Sequence, residues 1–397
     1  MKKKLVGLVC LALCLSVFQY QAIGASSLDK KQVVAKKITS AKGTLVSCNP
    51  KLMKDTIKFP ISELIDGLEV IHLDNADAAL VGGWVRTTIG EKYILVSNNK
   101  QIPFKLFDRS GKFVAKIGSY GQGPGEYLNT YFEQLDEKNN RIYILPWNAR
   151  QLLVYDLKGR NYPSIPLAMD IPKGAFQVDA AQSLITVTSL PFEGLPAIVF
   201  QQDLKGKMIK SVKPAHLSIP RDFSDEVSMG QNTSDYDVSI MRWKRKTDTL
   251  YHYNTKVNRL EPRFTADLKL EGSAYLAYTE LPHFFLGSFS FMKQVSAGAS
   301  VGTEPAAFVV NKETLKGSYV EYIDDFLGGF SLGKWTPTFH NGYYVANTDP
   351  MDLKEKLDEI LVKNKKMDPK VRQRVQTLSK SLNENDNNVV LIGKVKR

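Results

Sequence analysis

The sequence predicts an all-β protein, because three observations agree on short strands joined by tight turns. An apolar strand followed by Asp-x-x-Gly-Lys, or a variant of it, recurs along the chain, and these turns begin at Asp108, Asp156, Asp203, Asn254 and Asn311. Their spacing of about fifty residues is typical of β-propeller blades. Strand-like segments at residues 68–73 and 389–395 have no hairpin partner of their own. Pairing them would remove two open edges, so the prediction is a six-bladed β-propeller closed by its N- and C-terminal strands.

The blades follow one another along the chain as runs of β-branched and aromatic residues bounded by Gly, Asn, Asp and Pro. Blade one is predicted at residues 83–89, 93–97, 104–107 and 113–117, and blade two at 131–135, 141–145, 152–155 and 162–166. Blade three runs from 175 to 212, and blade four covers 237–245, 249–253 and 260–268 with a poorly marked inner strand. Blade five ends with 307–310 and 318–323, and blade six starts at 339–346.

Residues 1–25 have the pattern of a secretory signal peptide. Three lysines precede an apolar run at residues 5–18, and small residues follow for cleavage after Gly24 or Ala25. The apolar run is short for a membrane span, and no later segment is apolar enough, so we expect no transmembrane segment in the mature chain. Lipid attachment at Cys14 is the alternative, but Leu13 is bulkier than the residue that usually precedes a lipid-bearing cysteine. The predicted location is therefore the periplasm or the cell surface.

The remaining chain reads as one domain with two additions. Residues 26–56 are polar and Lys-rich, which favours a linker or loosely docked arm, and residues 57–397 form the propeller. Within the last blade, residues 351–383 carry two apolar stripes at helical spacing, and Asp368-Pro369 is a typical helix start. We expect two helices packed on the outer or bottom surface of the propeller; a docking face or a lid is the other interpretation.

Charge and cysteine content restrict the partners. The formal charge is +12, and loss of the three leader lysines would lower it to +9. We interpret the basic clusters as solvated surface, and the absence of a recognition motif speaks against nucleic acid. Cys48 alone would remain after cleavage, so no disulfide can form within the mature chain. A monomer is expected.

Residues 114–159 resemble an NHL repeat. The resemblance rests on a glycine-rich link at 121–127, on Asp136 to Ile144 around a turn, and on Asn148 to Asp156 entering the third strand. The whole chain resembles the secreted bacterial six-bladed, NHL-like propellers of undefined function. The resemblance implies the fold and no particular ligand. The sequence departs from the NHL pattern at Pro146, where an acidic residue is usual.

No motif predicts catalysis, and neither a cofactor nor a metal is expected. The glycine run lacks the Gly-Lys-Ser/Thr of a phosphate loop, the histidines form no metal-binding pair, and no Gly-x-Ser-x-Gly elbow is present. His252 is interpreted as part of one face of a strand. The alternative is a calcium-dependent hydrolase or lactonase of propeller type, built on acidic groups such as Asp324-Asp325 or Asp222 with Asp225-Glu226.

Aromatic residues near strand ends are the best indication of a binding site. Propellers bind ligands where strand ends and loops converge around the central channel, and aromatic rings there offer flat apolar contacts while arginines offer charged donors. The predicted ligand-binding residues are Trp84, Arg86, Tyr131, Trp147, Arg242 and Trp335. The predicted function is a non-catalytic binding protein of the cell envelope that recognises a glycan, a peptide or an envelope protein.

Overall fold

The computed structural model describes residues 17–19, 26–82, 85–98, 102–242, 248–268, 274–296 and 299–397. The N-terminal strands are β1 Val17–Gln19, β2 Ala35–Ser40, β3 Gly43–Cys48, β4 Thr56–Pro60 and β5 Gly67–His72. All five are incorporated into sheets formed mainly by later parts of the chain.

Three four-stranded antiparallel sheets then follow in chain order. The first sheet contains β6 Val85–Ile89, β7 Tyr93–Asn98, β8 Phe104–Asp108 and β9 Phe113–Ile117. A short parallel pair, β10 Ser119–Tyr120 and β11 Glu126–Tyr127, leads to the second sheet, which contains β12 Thr130–Asp136, β13 Arg141–Pro146, β14 Ala149–Tyr155 and β15 Asn161–Ile171. The third contains β16 Gly174–Asp179, β17 Leu184–Ser189, β18 Val199–Asp203 and β19 Met208–Val212.

The next two sheets recruit N-terminal strands at their outer edges. The fourth contains β20 Glu226–Ser228, β21 Asp237–Met241, β22 Thr249–Asn254 and β23 Arg259–Ala266. Strand β3 pairs in parallel with β23, and β2 pairs with β3. The fifth contains β24 Ala274–Glu280, β25 Phe284–Ser296, β26 Ala299–Gly302, β27 Ala306–Asn311, β28 Gly317–Asp324 and β29 Phe330–Gly333. Strand β4 pairs in parallel with β28.

The closing sheet joins the two ends of the chain. It contains β30 Phe339–His340, β31 Tyr343–Thr348 and β32 Val389–Lys394, in the order β1-β5-β32-β31-β30. Strand β32 pairs antiparallel with β5, from Val389 opposite His72 to Ile392 opposite Glu69. The predicted pairing of N- and C-terminal strands is therefore confirmed.

Two helices, α1 Pro350–Lys363 and α2 Pro369–Ser381, lie between β31 and β32. Their starts follow from the sequence, because the Asp349 carboxylate accepts a hydrogen bond from the backbone N–H of Met351 and Asp368 caps α2 in the same way. Each helix buries one apolar stripe: Leu353 and Leu357 of α1, and Val375 and Leu378 of α2. The two predicted helices near the C-terminus are confirmed. Among the described residues, no helix is both long and apolar enough to cross a membrane.

The recurring Asp turns are stabilised by the aspartate side chain. Asp108 Oδ1 accepts hydrogen bonds from the backbone N–H groups of Ser110 at 2.8 Å and Lys112 at 3.2 Å. Asp156 and Asp203 accept the equivalent bonds from the residues two and four positions further on. Satisfying these backbone donors holds the tight connection between the last two strands of each of these sheets.

The glycine of each Asp turn is required for two reasons. Gly111 and Gly159 have φ values of +86° and +82°, in the left-handed region that glycine adopts without penalty. A Cβ at Gly111 would also lie 2.0 Å from the carbonyl oxygen of His72, and one at Gly159 would lie 2.2 Å from that of Lys116. These carbonyls belong to the outer strand of the preceding sheet, so each turn packs directly against its neighbour.

Buried apolar clusters join each sheet to the next. Pairs sharing a cluster are Leu106 with Ile144 (first and second sheets), Val154 with Val187 (second and third), Val199 with Val238 (third and fourth), Phe264 with Phe285 (fourth and fifth), Leu286 with Leu391 (fifth and closing) and Ile94 with Ile392 (closing and first). Because the last cluster returns to the first sheet, the sheets surround a common axis. This arrangement is a β-propeller.

The segment 26–56 differs from the expected loosely docked linker. It supplies β2 and β3 to the fourth sheet, and Leu28, Val34 and Cys48 are buried. The strand signal was hidden because β2 exposes five of its six side chains and buries Ala35 alone, so no alternation of apolar and polar residues marks it.

Candidate binding surface at the loop end of the ring

The two ends of the ring carry different connections. Residues 118–129, 146–149, 190–198 and 213–225 connect strands at one end, here called the loop end. The Asp turns at 108–112, 156–160 and 203–207 lie at the other, here called the hairpin end. The strand registers support this division, because Thr130 lies opposite Pro146 and Gly174 lies opposite Ser189 at the loop end.

A buried lysine organises the centre of the loop end. Lys173, just before β16, is 4 % exposed, and its Nζ lies 2.5 Å from Glu226 Oε1. The same ammonium donates hydrogen bonds to the backbone carbonyls of Phe223 and Asp225. Tyr131 donates its hydroxyl hydrogen bond to the second oxygen of Glu226. One lysine thus fixes the 223–226 segment against the inner strands, and its charge is fully paired.

Exposed aromatic rings surround this ion pair. Trp147, in the β13–β14 loop, is 43 % exposed, and Phe223 is 46 % exposed. Their ring centroids are 5.9 Å apart in an edge-to-face contact, and Phe223 packs in the same manner on buried Phe192. Lys173 Nζ also lies 5.6 Å from the centroid of the Trp147 indole. The two exposed rings are therefore held in fixed positions by neighbours beneath them.

Arg86 reaches the mouth of the channel from the innermost strand of the first sheet. Its side chain is half-exposed, and its guanidinium lies 2.7 Å from Glu133 Oε2 on the innermost strand of the second sheet. Further bonds run to the backbone carbonyl and hydroxyl of Thr130. On β30, the innermost strand of the closing sheet, the half-buried imidazole of His340 packs edge-on against Phe132. Burial lowers the pKa of His340, with the Arg86 charge acting in the same direction and Glu133 opposing it.

The remaining predicted residues divide into three cases. Trp335 is 43 % exposed and packs edge-on against Tyr275, whose hydroxyl contacts Met241 Sδ at the loop end. Arg242 is half-buried and donates two hydrogen bonds to Asp248 Oδ1, at 2.9 and 2.8 Å, so its charge is already paired. Trp84 lies outside the described residues.

The structure thus brings Arg86, Tyr131, Trp147 and Trp335 to the loop end, together with side chains that sequence reasoning missed. Lys173 was missed because a single lysine after a strand carries no pattern, and Phe223 because it lies in a loop without periodicity. In the part of the chain that the structure describes, no group of three or more His, Cys, Asp or Glu side chains is positioned to hold a metal ion.

Fold and surface together define a class: a mainly β propeller protein that presents fixed aromatic rings at one end of its channel. The sequence from residue 45 to residue 394 matches the family described as "Domain of unknown function (DUF4934)". The chain belongs to this family.

Comparison with solved structures supports the fold through one of them. A protein from Bacteroides fragilis described as a "Putative exported protein" is 14 % identical, with a TM-score of 0.57 over 89 % of this chain and 100 % of that chain. A DUF4221 family member from Bacteroides vulgatus is 9 % identical, with a TM-score of 0.42 over 92 % of this chain and 99 % of that chain. No curated protein matches the sequence. At such identities the first likeness supports the fold alone, and the second carries no argument.

Proposed function

We propose that this protein is a non-catalytic binding protein of the bacterial cell envelope, which recognises a glycan, a peptide or an envelope protein at its loop end. The observation that carries the proposal is a set of exposed aromatic rings at the loop end: Trp147 and Phe223 lie beside a fully paired ion cluster, and Trp335 lies at the same end of the ring. Such a surface has flat apolar contacts to offer, while its central charges are already satisfied.

Energetics favour binding at this surface. Large aromatic rings dominate the binding free energy of many interfaces, because they bury much apolar area and have few rotatable bonds. Trp147 and Phe223 support each other, so little side-chain entropy remains to be lost when a ligand covers them. Arg86, half-exposed beside them, adds a cationic donor for a carbonyl or carboxylate of the partner.

The scaffold of the proposal is a monomeric six-bladed ring of NHL-like type, with the closing sheet as its sixth blade. Deleting residues 388–397 would remove β32 from between β5 and β31 and leave two unpaired edges. We expect the truncated protein to aggregate, as measured by light scattering. A soluble truncation with an unchanged melting temperature would contradict this closure.

Export is part of the same proposal. The basic, apolar and small-residue segments of residues 1–25 support it, as does the description of the structurally similar B. fragilis protein as exported. N-terminal sequencing of the processed protein should begin near Ala25 or Ser26. A lipid-bearing terminus at Cys14 would replace soluble export with a membrane anchor, and an intact Met1 would contradict both.

Binding is tested with arrays of glycans and peptides probed with the mature protein. A retained ligand should lose at least about tenfold in affinity when Trp147→Ala or Trp335→Ala removes a ring. Val257→Ala is the control, because Val257 is also an exposed apolar side chain but lies in a turn at the hairpin end. Calcium-dependent turnover of lactone or ester substrates, abolished by a chelator, would overturn the proposal in favour of a propeller hydrolase.

A further inference from the structure

A second concave surface lies at the hairpin end, between the third and fourth sheets. It encloses a cavity of about 670 Å³, within the range of pockets that bind small ligands. Twelve of its eighteen lining side chains carry an uncharged amide or hydroxyl group, and Leu184 is the single aliphatic one. The smaller cavity at the loop end, of about 190 Å³, is lined in part by Val85, Ile102 and Leu128. The two ends thus differ in the chemistry they present.

The lining of this cleft excludes anionic ligands by its charge. Asp179 and Asp235 contribute carboxylates, and Glu261 contributes a third that is paired with Arg259 at 2.8 Å. Lys256 contributes the one lysine ammonium among the lining residues. An anion would therefore meet a net negative surface. A neutral ligand rich in hydroxyl groups can instead exchange donors and acceptors with the amides and hydroxyls of the lining.

The floor of the cleft is pre-organised by hydrogen bonds. Gln201 is buried, and its Nε2 donates to Thr186 Oγ1 at 2.9 Å. The Tyr236 hydroxyl lies 3.3 Å from Thr188 Oγ1, and the Tyr236 ring packs edge-on against Tyr253. These contacts fix the floor before a ligand arrives, which lowers the entropic cost of binding.

One wall is formed by an anchored histidine. His252 Nε2 lies 2.5 Å from Glu280 Oε2, and Glu280 in turn accepts a hydrogen bond from Lys312 Nζ at 2.6 Å. The other ring nitrogen, Nδ1, lies 3.5 Å from Asp235 on the lining of the cleft. The expectation that His252 marks one face of a strand is thus extended: the ring is held rigidly where it borders the cavity.

We propose that this cleft binds a short neutral oligosaccharide, independently of the aromatic surface at the loop end. Amide and hydroxyl groups of Gln177, Gln201 and Asn254 bond the sugar hydroxyls, while the ring of Tyr236 faces their C–H groups. The acidic rim at Asp179 and Asp235 rejects acidic sugars. The two sites lie at opposite ends of the ring, so a substitution can abolish binding at one site without affecting the other.

The test measures binding of maltotriose, cellotriose, xylotriose and mannotriose, with trigalacturonate as the acidic comparison, by calorimetry on the mature protein. At least one neutral trisaccharide should bind, and Gln177→Ala should weaken it about tenfold, equivalent to the loss of a hydrogen bond or two. Gln151→Ala, an exposed glutamine on β14, is the matched control. Because Gln177 is exposed, its replacement should leave the melting temperature unchanged.

Several outcomes would overturn the proposal. Absence of binding by all four neutral sugars at about 10 mM, which bounds the free energy of binding to less than about 3 kcal/mol, would do so. Preferential binding of trigalacturonate would contradict the charge argument. A neutral sugar lost in Trp147→Ala but retained in Gln177→Ala would place the binding at the loop end. That last result would support the proposed function at the loop end and would contradict sugar binding in the cleft.

Discussion

The fifth sheet carries a buried carboxyl group near each of its ends, and the two groups have opposite environments. At the hairpin end, Glu280 is 3 % exposed and has both of its oxygens engaged, by His252 and by Lys312. At the loop end, Asp324 is fully buried, and its carboxyl group accepts backbone hydrogen bonds from Leu327, at 3.0 Å, and from Phe326. Its second oxygen, Oδ2, has no hydrogen-bond partner among the described residues.

Partners rather than burial decide the ionisation of the two groups. Burial by itself raises the pKa of Glu280, but the hydrogen bonds and charges of His252 and Lys312 outweigh it and hold the pKa at about 2. Burial raises the pKa of Asp324 to about 7; the neighbouring Asp325 charge adds to the rise, and the backbone bonds only partly oppose it. Within one sheet, two buried carboxyl groups therefore differ: one is charged at one end and the other binds a proton at the other end.

Breaking the ion cluster of Glu280, His252 and Lys312 should have the largest effect on stability. Glu280→Gln leaves His252 and Lys312 without their shared anion, and we expect a loss of roughly 3 kcal/mol in unfolding free energy at pH 7. In the unmodified protein this contribution is complete above the ordinary pKa of 4.5 and is lost as the pH falls towards 2. Urea titrations at pH 7 and pH 3 measure the difference, with exposed Glu91→Gln as the control. Equal stability of the Glu280 and Glu91 variants would refute the cluster's role.

Removing the proton-binding group at the loop end should act in the opposite direction. Between pH 4 and 7 the folded protein keeps a proton on Asp324 that the unfolded chain releases, so stability falls as the pH rises through this window. Asp324→Asn keeps the acceptor for Leu327 and cannot ionise. We expect it to be roughly 2–4 kcal/mol more stable than the unmodified protein at pH 8, and similar to it at pH 4.

Denaturation midpoints at these two pH values check the Asp324 prediction, with exposed Asp66→Asn as a reference. If the Asn variant and the parent protein respond identically to pH, Asp324 does not titrate in this window. A variant that is less stable at both pH values would indicate instead that the carboxyl group has a partner that the amide cannot replace.

The smallest expected effect is the contribution of Lys312 to the charge of Glu280, which a double-mutant cycle measures. Lys312→Met alone should destabilise the protein, because Glu280 then loses a charge partner 2.6 Å away. In the Glu280→Gln background the same change should cost less, giving a coupling of about 1–2 kcal/mol. Coupling near zero would assign the stabilisation of Glu280 to its other two partners, His252 and Arg263, whose Nη2 lies 3.6 Å from Glu280 Oε1.

Much of the ring could be predicted because the sequence of each turn by itself predicts a hairpin at that position. Asp108 and Asp156 each begin a turn and accept the same kind of hydrogen bond from backbone N–H groups a few residues further on. Each hairpin is therefore encoded within five residues. The strand ends of the first two sheets accordingly lie within a few residues of the predicted ones. The pairing of β5 with β32 was also predictable, because each segment has a strong β-strand pattern and no neighbouring strand in the sequence to pair with.

Other parts could not be predicted, because their signals depend on contacts that are distant in sequence. Strand β20 has three residues, too few for a period, and β2 exposes almost all of its side chains. His252 gained meaning only through Glu280, which lies 28 residues later in a different sheet. At the loop end, the aromatic residues could be assigned to loops, but the pairing of Lys173 with Glu226 required the folded structure.

The pairing of β5 with β32 also determines when the molecule can finish folding. The two strands lie more than 300 residues apart, and a ribosome adding roughly 5–20 residues per second separates their synthesis by tens of seconds. Throughout that interval the ring lacks its last strand, and the cluster that Leu391 completes with Leu286 cannot form. Ring closure therefore waits for the synthesis of β32, so the contacts that hold the ring shut form after strands β1 to β31 have been made.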